Sequence, residues 1–256
     1  FLKYIIDHPK AKQALQDYLD TLLPRLKKYN ALRSICLTNE PAFFTNAAGD
    51  FYLPAWRDFL RKSYKNDISQ LNRAWERSYK TFDEITFDDR VEYSASDYDY
   101  KHFNDKVFAE WHAWLGKIVR KHLPDMKIHV KVSADMANEE GVRDRQQFVI
   151  GNNLELYAEF SDINGNDFSV DYNAERRTIE RQMALYDLQT SIKAAPVFNS
   201  EDHLLADNVL INGKGQISFE QRQINRKAWA NFIETNMWMG AIHGRGASTL
   251  FFWDTR

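Results

Sequence analysis

The chain has 256 residues, 27% charged and 44% hydrophobic, which is ordinary for a globular protein with a substantial core. Its formal net charge of −2 excludes a strongly basic nucleic-acid surface or a polybasic membrane anchor, and no stretch approaches the roughly 18 apolar residues of a membrane span. One cysteine, Cys36, rules out an intramolecular disulfide but leaves the compartment open between bacterial cytoplasm and a secreted or periplasmic location.

Aromatic residues make up 14% of the chain. Most must serve a core, although sugars stack their C–H faces on such rings, so this composition also suits a carbohydrate cleft. The chain starts Phe1-Leu2-Lys3 without an initiator Met or a signal-peptide pattern, which implies an N-terminus elsewhere and a longer polypeptide.

In chain order, Ala14, Leu15, Tyr18, Leu19, Leu22 and Leu23 recur at helical spacing and predict a helix over Pro9 to Leu26. Ile35-Cys36-Leu37 then reads as a short strand buried on both faces, with Cys36 as a small apolar residue inside it. Pro41 stops the strand, leaving Asn39 and Glu40 at its C-terminal lip, where barrel enzymes place catalytic groups. The plainer alternative makes Asn39 a helix cap and Glu40 a solvated side chain.

Helices are expected from about Pro54, over Ile68 to Tyr79, and from about Asp97 to Leu123, with an acidic, aromatic surface loop between Thr86 and Tyr100. Lys127 to Val132 alternates polar and apolar and predicts a strand, from which His129 and Lys131 could reach either a cleft or the surface. A short helix near Asn152 to Phe160 and a weak strand at Asp162 to Phe168 follow. Arg176 to Ile192 is helical and feeds a second apolar run, Ala195-Pro196-Val197-Phe198, that ends in Glu201-Asp202-His203. Gly213-Lys214-Gly215 lacks phosphate-loop spacing and reads as a hairpin turn. A helix from Ser218, capped with Gln221, runs to about His243, and Ser248 to Trp253 is a last strand.

Strands near 32–38, 127–133, 162–168, 195–200 and 248–253 alternate with helices, so the expected class is α/β with a parallel sheet. The choice between an open sheet and a (β/α)8 barrel goes to the barrel, because no strand is followed by a glycine-rich loop. In a barrel, Glu40 and Glu201 stand on strands three steps apart and converge across the mouth. Two carboxylates about 5–5.5 Å apart are what a retaining glycosidase needs, one as proton donor and one as nucleophile.

Asn39-Glu40-Pro41, Trp56-Arg57-Asp58-Phe59-Leu60, Leu71-Asn72-Arg73-Ala74-Trp75-Glu76 and Phe82-Asp83-Glu84-Ile85 together resemble the fourth-strand region of clan A glycoside hydrolases. The nearest likeness is to family 42 β-galactosidases, and Gly240 to Gly244 with Phe251-Phe252-Trp253 resembles that family's eighth strand. The resemblance implies a (β/α)8 TIM barrel of which residues 1–256 carry strands 4 to 8, as the C-terminal part of one catalytic domain. The first three strands would then lie outside this chain or come from another.

It further implies that Glu40 is the acid/base, Glu201 the nucleophile, and Asn39 the group that binds the sugar's 2-hydroxyl. Trp253 would be a sugar platform, with Phe43 and Phe44 as weaker candidates; His129, His203 and Tyr172 complete the candidate contacts, Tyr172 in a region only loosely similar. Asp202 is a rival nucleophile, because a one-residue slip would exchange it with Glu201. No cofactor is implied. A single cysteine cannot rebuild the family's zinc-holding cluster, and no His-x-His or His-Glu-x-x-His spacing supports a metal at His129, Asp167, His203 and His243. The implied partner is a carbohydrate, a β-galactoside or related glycan, with no nucleic acid and no membrane. Self-association into a homo-oligomer is left open. The alternatives are an agarase-like galactan hydrolase of the same clan and a carbohydrate-binding barrel without turnover.

Overall fold

A computed structural model describes residues 5–133, 151–168, 170, 179–202 and 219–250. The chain divides into two compact units, residues 1–31, 41–124 and 148–156 in the first and 32–40, 125–147 and 157–256 in the second. No helix among the described residues is long and apolar enough to cross a membrane.

The first unit is helical: α1 (Pro9–Leu26), α2 (Leu53–Ser63), α3 (Ile68–Trp75) and α4 (Ala95–His122). Helix α1 starts where expected, because Pro9 needs no donor in the first turn and the His8 side chain accepts the Lys10 N–H at 3.2 Å. Trp56 and Leu60 on α2 and Leu71 and Trp75 on α3 are buried one helical turn apart. Rings from Trp75, Phe87, Tyr100 and Phe103 lie 5.2–6.2 Å from that of Trp56, so much of the aromatic excess is a core of its own.

Residues 86–94 form the expected, largely exposed loop, but Asp97 and Asp99 just beyond it are not solvated. Asp97 is 3% exposed and pairs with Lys101 at 2.7 Å, and Asp99 accepts from Tyr64 Oη at 2.6 Å and Trp75 Nε1 at 2.8 Å. Both belong to the first two turns of α4, which Ser94 caps. The partners of Asp99 are remote in sequence, Tyr64 just past α2 and Trp75 on α3, and such pairing is what makes a buried carboxylate tolerable.

The second unit holds a five-stranded sheet, β1 (Ser34–Asn39), β2 (Lys127–Val132), β3 (Asn164–Asn166), β4 (Val197–Asp202) and β5 (Arg245–Leu250). Every pair is parallel and the spatial order equals the sequence order. Among the described residues, β1 and β5 therefore each have one strand neighbour, as in an arc of a barrel. The reading of β1 as buried on both faces is corrected: its residues are half-buried or exposed, and Cys36 is exposed.

Strand β2 is covered on both faces over Ile128–Val132, including His129 and Lys131. Gly165 lets β3 close on it, since a Cβ there would meet His129 Cδ2 at 2.6 Å and collide with the Val130 carbonyl. Helix α5 (Leu154–Ala158) is a short element that precedes β3. Helix α6 (Ile179–Ile192) packs Met183 and Tyr186 on Val197 and Leu185 on Phe168 and Val170. Each such buried side chain contributes about 1.5–3 kcal/mol. Helix α7 (Phe219–Ile242) ends at Gly244, whose φ of 89° and contact with Thr190 Cγ2 exclude a side chain. The turn starts β5 at Arg245, three residues earlier than the expected Ser248. The hairpin expected at Gly213-Lys214-Gly215 and the cap at Ser218 lie outside the described residues.

Candidate active site

Strand β1 delivers Glu40 through a break in its pairing. Cys36 lies opposite His129 and Asn39 opposite Lys131, so three steps along β1 match two along β2. The extra residue is a bulge, a device that re-aims side chains near active sites. Just past it the Glu40 N–H donates to the Lys131 carbonyl at 2.9 Å, and Glu40 adopts φ 45°, a left-handed conformation unfavourable for a residue with a Cβ. Asn39 is exposed at the strand end beside it.

Strand β4 repeats the device. Asn199 is opposite Ser248 and Asp202 opposite Leu250, again three steps against two. Val197 packs on Met183 and Tyr186, and Asn199 Nδ2 bonds the Tyr186 hydroxyl at 3.1 Å, so both face α6. Strict alternation would send Glu201 to that side as well. The extra residue sends Asp202 there instead. Asp202 is fully buried, accepting from Arg245 Nη1 at 2.9 Å and Ser248 Oγ at 2.8 Å. Glu201, its side chain 20% exposed, turns to the opposite face and meets Lys131. The rival nucleophile is thus a structural ion pair.

Lys131 is where the carboxylates converge. Its side chain is 3% exposed, and its Nζ stands 3.0 Å from Glu40 Oε1, against Glu201 Oε2, and 4.0 Å from Asp167 Oδ2. Burial pushes the lysine's pKa down, but the hydrogen bonds it donates to Glu201 and Glu40 and the charge of Asp167 more than offset this, so the net shift is upward. Oxygens of Glu40, Asp167 and Glu201 all lie within 4.8 Å of one another. Three such carboxylates form a donor set for a hard cation, and the ammonium of Lys131 provides the positive charge among them.

His129 is two residues before Lys131 on the same face. It is 1% exposed, lies edge-on to Phe198 at 5.4 Å, and neither ring nitrogen has a hydrogen-bond partner among the described residues. Burial lowers its pKa to about 4, so it is neutral at neutral pH. Phe43, in the first unit, is 1% exposed, stacked on Phe108 at 5.0 Å and edge-on to Tyr52, with no face left for a sugar. That corrects its reading as a platform: the ring belongs to the core. Phe44 is half-buried. Tyr172, His203 and Trp253 lie outside the described residues.

The geometry brings together Glu40, Glu201 and, beside them, Asn39. The sequence singles out Asp167 only as a metal candidate and Lys131 only as a possible cleft residue; their roles as third carboxylate and counter-charge come from the structure. A lysine between Val130 and Val132 in a buried strand is the signal that points to them.

Comparison with known proteins bears on the fold and the family. A 39% identical stretch of 85 residues, 30% of this chain and 11% of the relative, matches a β-galactosidase of Clostridium perfringens. Among solved structures, the exo-carrageenase of Bacteroides ovatus superposes with a TM-score of 0.74 at 25% identity, covering 99% of this chain and 35% of that one. The β-galactosidase of the haloarchaeon Halorubrum lacusprofundi gives a TM-score of 0.62 at 16% identity, covering 98% and 37%. The chain thus spans little more than a third of those solved relatives, and its five strands are an arc of a (β/α)8 barrel. A family model described as β-galactosidase matches residues 3–202, and the chain belongs to glycoside hydrolase family 42.

Proposed function

We propose that this chain carries both catalytic carboxylates of a retaining, β-galactosidase-like glycoside hydrolase. The observation that supports it is the approach of Glu40 and Glu201 oxygens to within 4.8 Å at the ends of two strands that pair with other partners. In the first step Glu40 gives its proton to the glycosidic oxygen while a Glu201 oxygen attacks the anomeric carbon. The bond to the leaving sugar breaks and a glycosyl ester forms on Glu201. In the second step Glu40, now a carboxylate, takes a proton from water, whose oxygen displaces Glu201 from the same carbon. Two inversions return the original β configuration. Asn39, at the lip next to Glu40, is placed to bind the 2-hydroxyl. The likeness to an exo-carrageenase favours, as a second reading, a galactan chain as substrate.

The test is turnover of a panel of nitrophenyl β-glycosides by the full-length protein beside its Glu40→Gln and Glu201→Gln variants. The expected result is turnover of at least one β-galactoside and a loss of about a thousandfold or more in each variant. No turnover on any substrate would favour a carbohydrate-binding barrel, and unchanged turnover in the variants would end the assignment.

A further inference from the structure

The two steps above need opposite protonation states in carboxylates that nearly touch: Glu201 must be ionised to attack while Glu40 holds a proton. With Asp167 beside them, three carboxylates share one small volume, and like charges so close drive one another toward protonation. Something must decide which group stays charged. Lys131 is the cation built into that volume, held by the backbone of β2 and bonded to Glu40 and Glu201 at once. Its two bonds are not equivalent in surroundings. Glu201 is 20% exposed and Glu40 42%, so water screens the attraction less at Glu201. The cation therefore interacts more strongly with the nucleophile than with the acid.

Resting on the reading of Glu40 as acid/base and Glu201 as nucleophile, we propose that Lys131 is a positioning residue of this site. It orients Glu201 and keeps it ionised, and it yields its bond to Glu40 when a substrate's glycosidic oxygen arrives. Lys131 touches the two carboxylates and transfers no proton itself. The other titratable groups facing it are few among the described residues. Strand β1 contributes Glu40 and the Cys36 thiol, β2 the neutral His129, β3 Asp167 and β4 Glu201. None of these brings a second positive charge at neutral pH.

The experiment is the pH profile of kcat/KM on the best nitrophenyl β-glycoside, measured on the full-length protein and its Lys131→Met, Lys131→Arg and Asp167→Asn variants. Thermal unfolding confirms that each is folded. Methionine keeps the buried stem and removes the charge, so kcat/KM falls by about a hundredfold and the acidic limb moves up by about 1–2 pH units. Arginine restores the charge and recovers about tenfold of the loss, with the limb returned toward its original place. Asp167→Asn removes one competing anion and moves the limb in the opposite direction, a readout that stands even where Lys131→Met does not fold. An unmoved limb in Lys131→Met, or an Asp167→Asn limb that is unmoved or rises, overturns the proposal. If Glu40→Gln and Glu201→Gln are inactive in the same assay, only the role of Lys131 falls. If those variants keep full turnover, the glycosidase reading falls and takes this one with it.

Discussion

Arg245 Nη1 donates at 2.9 Å to Oδ2 of the fully buried Asp202, one residue beyond Glu201 on strand β4. The same guanidinium also bonds Asn236 Oδ1 and the Asn236 carbonyl, each at 2.8 Å, so the pair is held on all sides. Two adjacent acidic residues thus have different surroundings, Asp202 in a buried ion pair and Glu201 partly exposed against Lys131.

Removing one partner of a buried ion pair strands the other charge. Asp202→Ala is therefore expected to destabilise the protein by about 3–5 kcal/mol. Glu201→Gln, at a partly exposed site that keeps its hydrogen-bonding shape, costs about 1 kcal/mol or less while activity is lost. Urea unfolding of the two variants checks this. Equal stability losses would mean that the two residues do not divide the work in this way.

Glu40 occupies a backbone conformation that suits glycine better than any residue with a Cβ. Both Glu40→Gly and Glu40→Ala remove the carboxylate and its bond to Lys131, so their difference isolates the backbone. Glycine should leave the protein more stable than alanine by about 1 kcal/mol, by unfolding in urea, with neither variant active. An alanine variant as stable as the glycine one would show that no strain is held at this position.

His112 lies fully buried in α4, its Nδ1 bonded to the Phe108 carbonyl at 2.8 Å, and burial lowers its pKa from 6.5 to about 4. The unfolded chain binds a proton at higher pH than the folded one. Stability is thus complete above pH 6.5 and declines as the pH falls toward 4, by about 2 kcal/mol between pH 7.5 and 5 from this group. Unfolding free energies at those two pH values should converge more in His112→Gln than in the original protein. An identical pH dependence in both would remove His112 as the cause.

Much of the architecture could be read from local pattern. The span of α1, the long α4, the β2 boundaries and the alternation of helix and strand follow from side-chain spacing, caps and stop signals that act within a few residues. The motif around Asn39-Glu40-Pro41 pointed to a strand end, and the structure places a strand end there. Less of the site could be read so. Asp99 looked like a solvated acid because its partners Tyr64 and Trp75 come from segments remote in sequence. Cys36 looked buried because an apolar triplet does not reveal what covers each face of its strand.

By itself, then, the sequence determined which elements form, their order, and that two strands each end in a glutamate. Only the tertiary structure decided where those carboxylates point. One extra residue in β1 and one in β4 reset the alternation of side chains, turning Glu201 toward Lys131 and Asp202 toward Arg245. Such a bulge arises from how a strand registers with its neighbours, and Lys131 and Glu201 are 70 positions apart along the chain. Local propensity acts over one turn or one strand, so it carries no information about a pairing of that span.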